Sequence, residues 1–459
     1  MFIFWIFILL CIITAVLRYF LRKWTEEFGN VYGIMDGARK VLVVSDLALV
    51  HELLTTKFDI FEARKLNPLA DELSEFNAGS ILHATSFRWR RLRAIAATYF
   101  NSSKVKKAIP TLERITTRSL ELLHEHCRDG KPVDIQPFLQ KLTDDTIMQL
   151  IFGDGTKKER FFDEMYRALR AKKRSTEKIF SIVAAIFAWS RSTINAVNAS
   201  LQTTNAYFNG CLFNSLAEYV KERRKEMTRI SRDKSFKSYL DHLLESSEHP
   251  CGESLHADGS DDGSEFHNSE QKVSRYLMEN EIVSACMNFL YAGHKTSARA
   301  LISILQCLAL NLDVQKKLLN EEIRDIEGEL TFEKIERLKY LDCIIREALR
   351  LFPLGSEHVA RKCTASTTLG LNIPIESGTY VMVDVMSLHL DPTLWGEDSE
   401  VFNPSSFGQG PRMCLGEKLA YVQLKVILVI LLRNFTFIAE NSTIVALWEN
   451  RLLRHGPHL

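Results

Sequence analysis

The sequence predicts a mainly α-helical chain with small β-sheets, preceded by an N-terminal transmembrane anchor. Three observations predict it. Met1 to Leu17 contains no charged residue. From Lys104 onward, apolar residues recur at helical spacing. Only brief runs such as Val41 to Val44 read as buried strands. The 459 residues are 46% hydrophobic and 25% charged, with 21 Gly and 11 Pro, which excludes collagen, wholesale disorder and a polytopic membrane protein.

The anchor comes first. Counted through Leu21, the apolar run matches the roughly 20 residues a spanning helix needs, and Arg18 can snorkel to the interface. Arg22 and Lys23 follow the run rather than precede it, and no small-residue cleavage site comes after it, which argues against a signal peptide. Residues 1–24 are therefore assigned to the anchor and 25–459 to one domain, which positive-inside reasoning places on the cytosolic side. The 9 cysteines include no CxxC pair, as suits a reducing compartment.

Within the domain, Asp46 to Thr55 reads as a helix after the Val41–Val44 strand. Leu112, Ile115 and Leu120 share one helical face, and Phe138, Leu142 and Ile147 another. Ser246 to Gln271 is rich in Ser, Glu, Asp, Gly and His and reads as a surface loop. Glu281 to Leu310 and Leu419 to Leu432 read as long apolar helices. The basic runs Arg167–Arg174 and Lys221–Lys225 read as solvated helix faces. No internal repeat is visible. Lys plus Arg (58) nearly balances Asp plus Glu (57), so no global field exists to draw in nucleic acid.

The chemistry concentrates in the run Phe407-Gly408-Gln409-Gly410-Pro411-Arg412-Met413-Cys414-Leu415-Gly416, which leads directly into the Leu419 helix. A cysteine at a helix N-terminus beside Arg412 sits where negative charge is favoured, and its glycines allow close approach of a flat ligand. Glu347 and Arg350 stand at i, i+3 on one helical face, so they can pair; Trp89 and Arg93 are neighbours at i, i+4.

The spacing F-x-x-G-x-R-x-C-x-G resembles the haem loop of the cytochrome P450 family, and the resemblance extends over nearly the whole chain beyond the anchor. Glu347-Ala348-Leu349-Arg350 fits the family's E-x-x-R helix, and Trp89 and Arg93 its W-x-x-x-R helix. Ala292-Gly293-His294-Lys295-Thr296-Ser297 fits its oxygen-binding motif. The run Phe58 to Pro68 looks most like the microsomal clan that oxidises drugs and steroids, especially nematode members.

The resemblance implies the cytochrome P450 fold and a haem b cofactor, with Cys414 as axial thiolate and metal ligand. Trp89, Arg93, Arg361 and Arg412 would face the haem propionates, with Gly416 beside the ring; Gly293 would let dioxygen sit against the helix, where Thr296 would donate a hydrogen bond to it. The implied activity is monooxygenation of a lipophilic small molecule, whether xenobiotic, steroid or fatty-acid-like. NADPH-cytochrome P450 reductase would supply electrons, with cytochrome b5 as a further partner, and the endoplasmic reticulum membrane would be the site. Alternatives are an isomerase or dehydratase of peroxides, or an inactive haem-binding protein. Arg88, Arg90 and Arg91 read as a basic solvated face, the rival reading being the face that docks the reductase.

Three departures accompany the match. Lys295 stands where the family has an acid used in proton delivery, which reverses the local electrostatics. Pro404-Ser405-Ser406-Phe407 runs straight into the haem loop, so that Ser406 takes the place of an arginine that would complete a triad with Glu347 and Arg350. A partly satisfied buried charge cluster, and hence weak folding, is the expectation. The proline-rich hinge expected after the anchor is also missing.

Overall fold

The computed structural model describes residues 21–65, 79–127, 134–153, 205–227, 237–248, 276–354, 358–403, 414–440 and 443–448. Met1 to Phe20, which carry most of the expected anchor, lie outside this set, as do residues 404–413 of the haem loop, Arg412 included. Among the described residues, no single helix is long and apolar enough to cross a membrane. Residues 21–24, the end of the predicted anchor, are helical and pack on the domain: Leu21 is buried against Tyr32, Val41, Val43 and Met382. Arg22 pairs with Glu400 at 2.7 Å.

The helices that build the site are α1 (Ser86–Ala97), α2 (Ser102–Cys127), α3 (Ile135–Phe152), α4 (Asn205–Met227), α5 (Tyr239–Glu248), α6 (Glu279–Leu310), α7 (Lys339–Leu351) and α8 (Glu417–Asn434). The strands are β1 (Val31–Asp36), β2 (Arg39–Val44), β3 (Ala63–Arg64), β4 (His358–Lys362), β5 (Thr367–Leu369), β6 (Ile373–Ile375), β7 (Tyr380–Asp384), β8 (Phe435–Glu440) and β9 (Thr443–Trp448). This mainly helical architecture with small sheets is the expected one. The expected helix at Asp46 is present as Leu47–His51 continued by a wider turn, Glu52–Thr56; the Asp46 carboxylate caps it by accepting from the Leu49 N–H.

Helix α6 is the axis of the main core. Its apolar residues, among them Ile282, Val283, Met287, Leu301, Ile304 and Leu305, are fully buried, so burial on nearly every side replaces the one-sided pattern of a surface helix. Glu281 closes its first turn by accepting from the Met278 N–H at 3.1 Å. Helix α8 lies alongside with Val426 to Val429 at zero exposure. Its buried Lys425 is neutralised by Asp342 at 2.8 Å and donates to the Ile335 carbonyl at 3.0 Å.

Five strands form one sheet in the order β1-β2-β7-β4-β3, with β2 parallel to β7 and every other pair antiparallel. Its inner face covers a second cluster built on Val44, Leu53, Phe61, Val381 and Val383. The pairs β5–β6 and β8–β9 are separate two-stranded ribbons. The Ser246–Gln271 loop loses its first residues to α5, which runs to Glu248; the part from 249 to 271 lies outside the described residues, as does the basic run Arg167–Arg174. The other basic run is less solvated than expected, because Arg223 grips Asp241 of α5 at 2.9 and 3.2 Å.

Candidate active site

Cys414 stands three residues before α8 begins, with its thiol accessible to a ligand. Two guanidinium groups, Arg93 of α1 and Arg64 of β3, stand close enough to favour its thiolate, and so does the Gly416 N–H, which donates to it. Burial and the nearby Glu417 act the other way, and the thiol pKa is raised overall, burial being the largest cause. The sequence reading expected the loop alone to favour the thiolate. The helix end and the arginines do act in that direction, but they do not outweigh desolvation, and a bound cation would. Gly416 has φ of −90°, and a Cβ there would meet only the Phe100 ring at an ordinary 3.7 Å, so protein packing does not require its glycine.

The arginines converge through two different elements. On α1, Trp89 is buried against Phe58 at 5.4 Å between ring centroids, and the Arg93 guanidinium lies 5.7 Å from the centre of the Trp89 ring. On the sheet, Arg64 is directly opposite Arg361 in the β3–β4 ladder, which places both side chains on one face. Like charges directly opposite are destabilising. Arg64 makes no hydrogen bond or ion pair with any described residue, and burial followed by repulsion from Arg93 lowers its pKa. Desolvation lowers that of Arg93 as well. A group with two carboxylates that also offers a metal to a thiolate would supply an acceptor for Arg64, beside Arg93 and Arg361, and the positive charge that favours the Cys414 thiolate. The residues present fit a haem.

Arg64 was not among the predicted site residues. Its run, Phe58 to Pro68, was informative only as a resemblance, and the two-residue strand that carries it has no periodicity to detect.

On the other side, α6 opens over two turns. Ala292, Lys295, Thr296 and Arg299 are exposed, whereas His294, Ser297, Ala298 and Ala300 are buried. Other helical threonines hand their hydroxyl back to a carbonyl of the preceding turn: Thr116 to Leu112 and Thr146 to Leu142, each at 2.7 Å. Thr296 has no such bond or other partner among the described residues, so its Oγ1 is open to a ligand. Gly293 has a packing reason beside the expected contact with dioxygen: a Cβ there would collide with the Ile147 side chain, so glycine lets α3 and α6 close on each other. Next to it, His294 Nδ1 meets the Asp144 carboxylate at 2.5 Å, and Gln140 Nε2 donates to the His294 carbonyl at 2.8 Å. Helix α3 thus fixes α6 at the motif, a bracing role for Asp144 and Gln140 that no sequence signal announced.

The Glu347–Arg350 pair corrects an expectation. Both residues are 2% exposed, and Arg350 Nε and Nη2 each donate to the Glu347 carboxylate at 2.7 Å. Arg350 Nη1 reaches the carbonyls of His389 and Ser399, each at 2.6 Å, and Nη2 that of Val401 at 3.2 Å. The Asn403 N–H donates to Glu347 at 2.7 Å. Backbone carbonyls and one amide occupy the positions a third side chain would fill, and the cluster is satisfied whatever residue 406 does.

The Arg88–Arg91 face is likewise only partly solvated. Arg91 and Arg88 both pair with the fully buried Glu281 of α6, and only Arg90, bonded to Asp59 at 2.7 Å, lies on the outside with its partner.

Comparison with known proteins agrees with this geometry. The family model described as Cytochrome P450 matches residues 2–454. Among curated relatives, cytochrome P450 CYP13A2 of Caenorhabditis elegans is 32% identical over 444 residues, covering 93% of this chain and 84% of the relative. CYP13A1 of the same nematode is 32% identical over 438 residues, covering 91% and 83%. CYP13A8 is 32% identical over 443 residues, covering 93% and 86%. Their names state a family and no substrate.

Proposed function

The chain belongs to the cytochrome P450 family, a family of haem monooxygenases that bind haem b, and from that premise we propose a haem-thiolate monooxygenase that hydroxylates small lipophilic substrates with electrons from NADPH-cytochrome P450 reductase and, as a further donor, cytochrome b5. Bound at this site, haem b would supply the activation of dioxygen, helped by electron donation from the Cys414 thiolate.

The observation that carries the reading is the convergence of Arg64 and Arg93 on Cys414, with Arg361 directly opposite Arg64. In this reading Cys414 ligates the iron, and Arg64, Arg93, Arg361 and Arg412 hold the two carboxylates, a task for which the guanidinium fork is suited. Trp89 keeps Arg93 in place by stacking under it. Thr296 holds a proton at Oγ1 toward the reacting oxygen, and Lys295 replaces the carboxyl group that would refill it. The braced segment from Gly293 to Ser297 keeps that hydroxyl in a fixed position. Loss of the acid favours the rival isomerase or dehydratase reading, but an open Thr296 hydroxyl has no task in such chemistry.

The domain is proposed to face the cytosol from the endoplasmic reticulum membrane, held by residues 1–24; the uncharged run from Met1 to Leu17 supports this. The decisive experiment on function is the reduced carbon monoxide difference spectrum of the expressed chain. A thiolate-type band that disappears in Cys414→Ser and persists in Cys286→Ser is expected, Cys286 being fully buried among apolar residues. An unchanged spectrum in Cys414→Ser would overturn the ligand assignment.

A further inference from the structure

The opening in α6 is confined to its middle. One face of the helix runs through Glu281, Ala285, Asn288, Ala292, Lys295, Thr296, Arg299, Ser303 and Gln306. Its first part is covered: Glu281 is fully buried, and Ser80 Oγ donates to Asn288 Oδ1 at 3.0 Å. Its last part is half-covered at Ser303 and Gln306. Ala292, Lys295, Thr296 and Arg299 are exposed in the middle of this face, between its buried first part and its half-covered last part.

Two cations stand in that window. Lys295 and Arg299 are at i, i+4, the spacing at which like charges destabilise a helix. Neither forms an ion pair or hydrogen bond with any described residue. Lying mid-helix, they gain nothing from the helix dipole. One turn before the window, Asn288 Nδ2 is a buried donor with no acceptor among the described residues. The wall beside them is apolar, with Ala292 in the window and Phe289 half-buried just before it.

We propose that Lys295 and Arg299 form a subsite for the carboxylate of an amphipathic substrate, whose hydrocarbon part lies along the Phe289–Ala292 wall beside Thr296. This rests on the monooxygenase reading and names its substrate class. The pair acts as a specificity determinant: two donors of fixed charge favour a carboxylate over the corresponding neutral alcohol, and the uncovered Thr296 hydroxyl lies between them on the same face.

The test is equilibrium dialysis of the full-length, haem-loaded chain in non-ionic detergent with labelled dodecanoate and, separately, dodecanol. A charge-assisted hydrogen bond predicts that dodecanoate binds about tenfold more tightly or better. The preference should disappear in the Lys295→Met/Arg299→Met double variant, survive in Lys295→Arg and shrink as salt is raised. Equal binding of acid and alcohol by the native chain would overturn the proposal, and so would an undiminished preference in the double variant. The carbon monoxide spectrum of the same preparation separates the two readings. A thiolate band without carboxylate preference removes the subsite alone, whereas a missing band removes the haem-thiolate reading while the dialysis ratio still decides the subsite.

Discussion

Two arginine clusters in this molecule invite comparison. Around Arg350 every donor direction ends on an acceptor: the Glu347 carboxylate and the carbonyls of His389, Ser399 and Val401. Around Arg64, guanidiniums face one another across a strand pair and from a neighbouring helix, and Arg64 has no acceptor among the described residues. The first cluster is complete in the protein and therefore structural. The second leaves Arg64 without an acceptor among the described residues, as a site that binds an anion does. Counting satisfied partners separates the two roles where residue type cannot, since both clusters are built from buried or half-buried arginine.

The strongest way to break this contrast is at Glu347. Glu347→Gln leaves the Arg350 charge buried with carbonyls alone, and a broken buried pair typically costs ~3–5 kcal/mol. Chemical denaturation should show that loss equally in the haem-free and haem-loaded chain. A loss confined to the loaded form would make Glu347 a ligand-side residue instead.

At Arg64 the opposite pattern is expected. Arg64→Ala removes like-charge repulsion, so the haem-free chain should be as stable as the native one or more so. Haem should dissociate about tenfold faster, in line with the loss of one charge-assisted hydrogen bond. A stopped-flow transfer of haem to an excess of acceptor protein measures it. Unchanged haem release would leave Arg64 without the assigned task.

A smaller effect sharpens the structural cluster. His389 Nδ1 sits 2.9 Å from the Arg350 carbonyl, and burial, the largest cause, lowers its pKa from the ordinary value. The unfolded state therefore binds the proton first as pH falls. The stability tied to neutral His389 is fully present above about pH 6.5, the ordinary histidine value, and is lost progressively as pH falls through its lowered folded value. His242, lowered chiefly by burial, adds to the same slope. Thermal midpoints between pH 7.5 and 5.5 should fall, and His389→Gln should flatten the trend; an equal slope in the variant would remove His389 from the account. The smallest effect is at the exposed Lys40–Glu376 pair, 2.9 Å apart, where Lys40→Ala should leave the midpoint unchanged because exposed pairs are screened by water. A clear drop there would show that partner counting misjudges surface pairs too.

The residues that periodicity could reach were legible. Helix α6 begins at Glu279 against an expected Glu281 and ends at the expected Leu310; β2 contains the expected Val41–Val44. What escaped is non-local or lies in the backbone. The opposition of Arg64 and Arg361 joins strands nearly three hundred positions apart, and no local pattern encodes that register. The carbonyls around Arg350 belong to residues whose side chains carry no signal, so the sequence could not show that backbone groups satisfy the pair. Gly293 was legible as part of a motif, but its conflict with Ile147 needed the crossing of α3 and α6.

The order of the cradle residues along the chain also has a consequence for biosynthesis. Arg64 and Arg93 are translated early, while Arg361 enters through β4 and Cys414 later still, just before α8. Until β4 exists, β3 has no neighbour in the sheet, since it sits at the edge next to β4 alone. An intermediate that lacks β4 therefore cannot display the assembled arginines, and cofactor capture must follow synthesis of β4 and Cys414. Cells starved of haem would then accumulate chains with the cradle formed and Arg64 still without its anion, rather than stalled fragments.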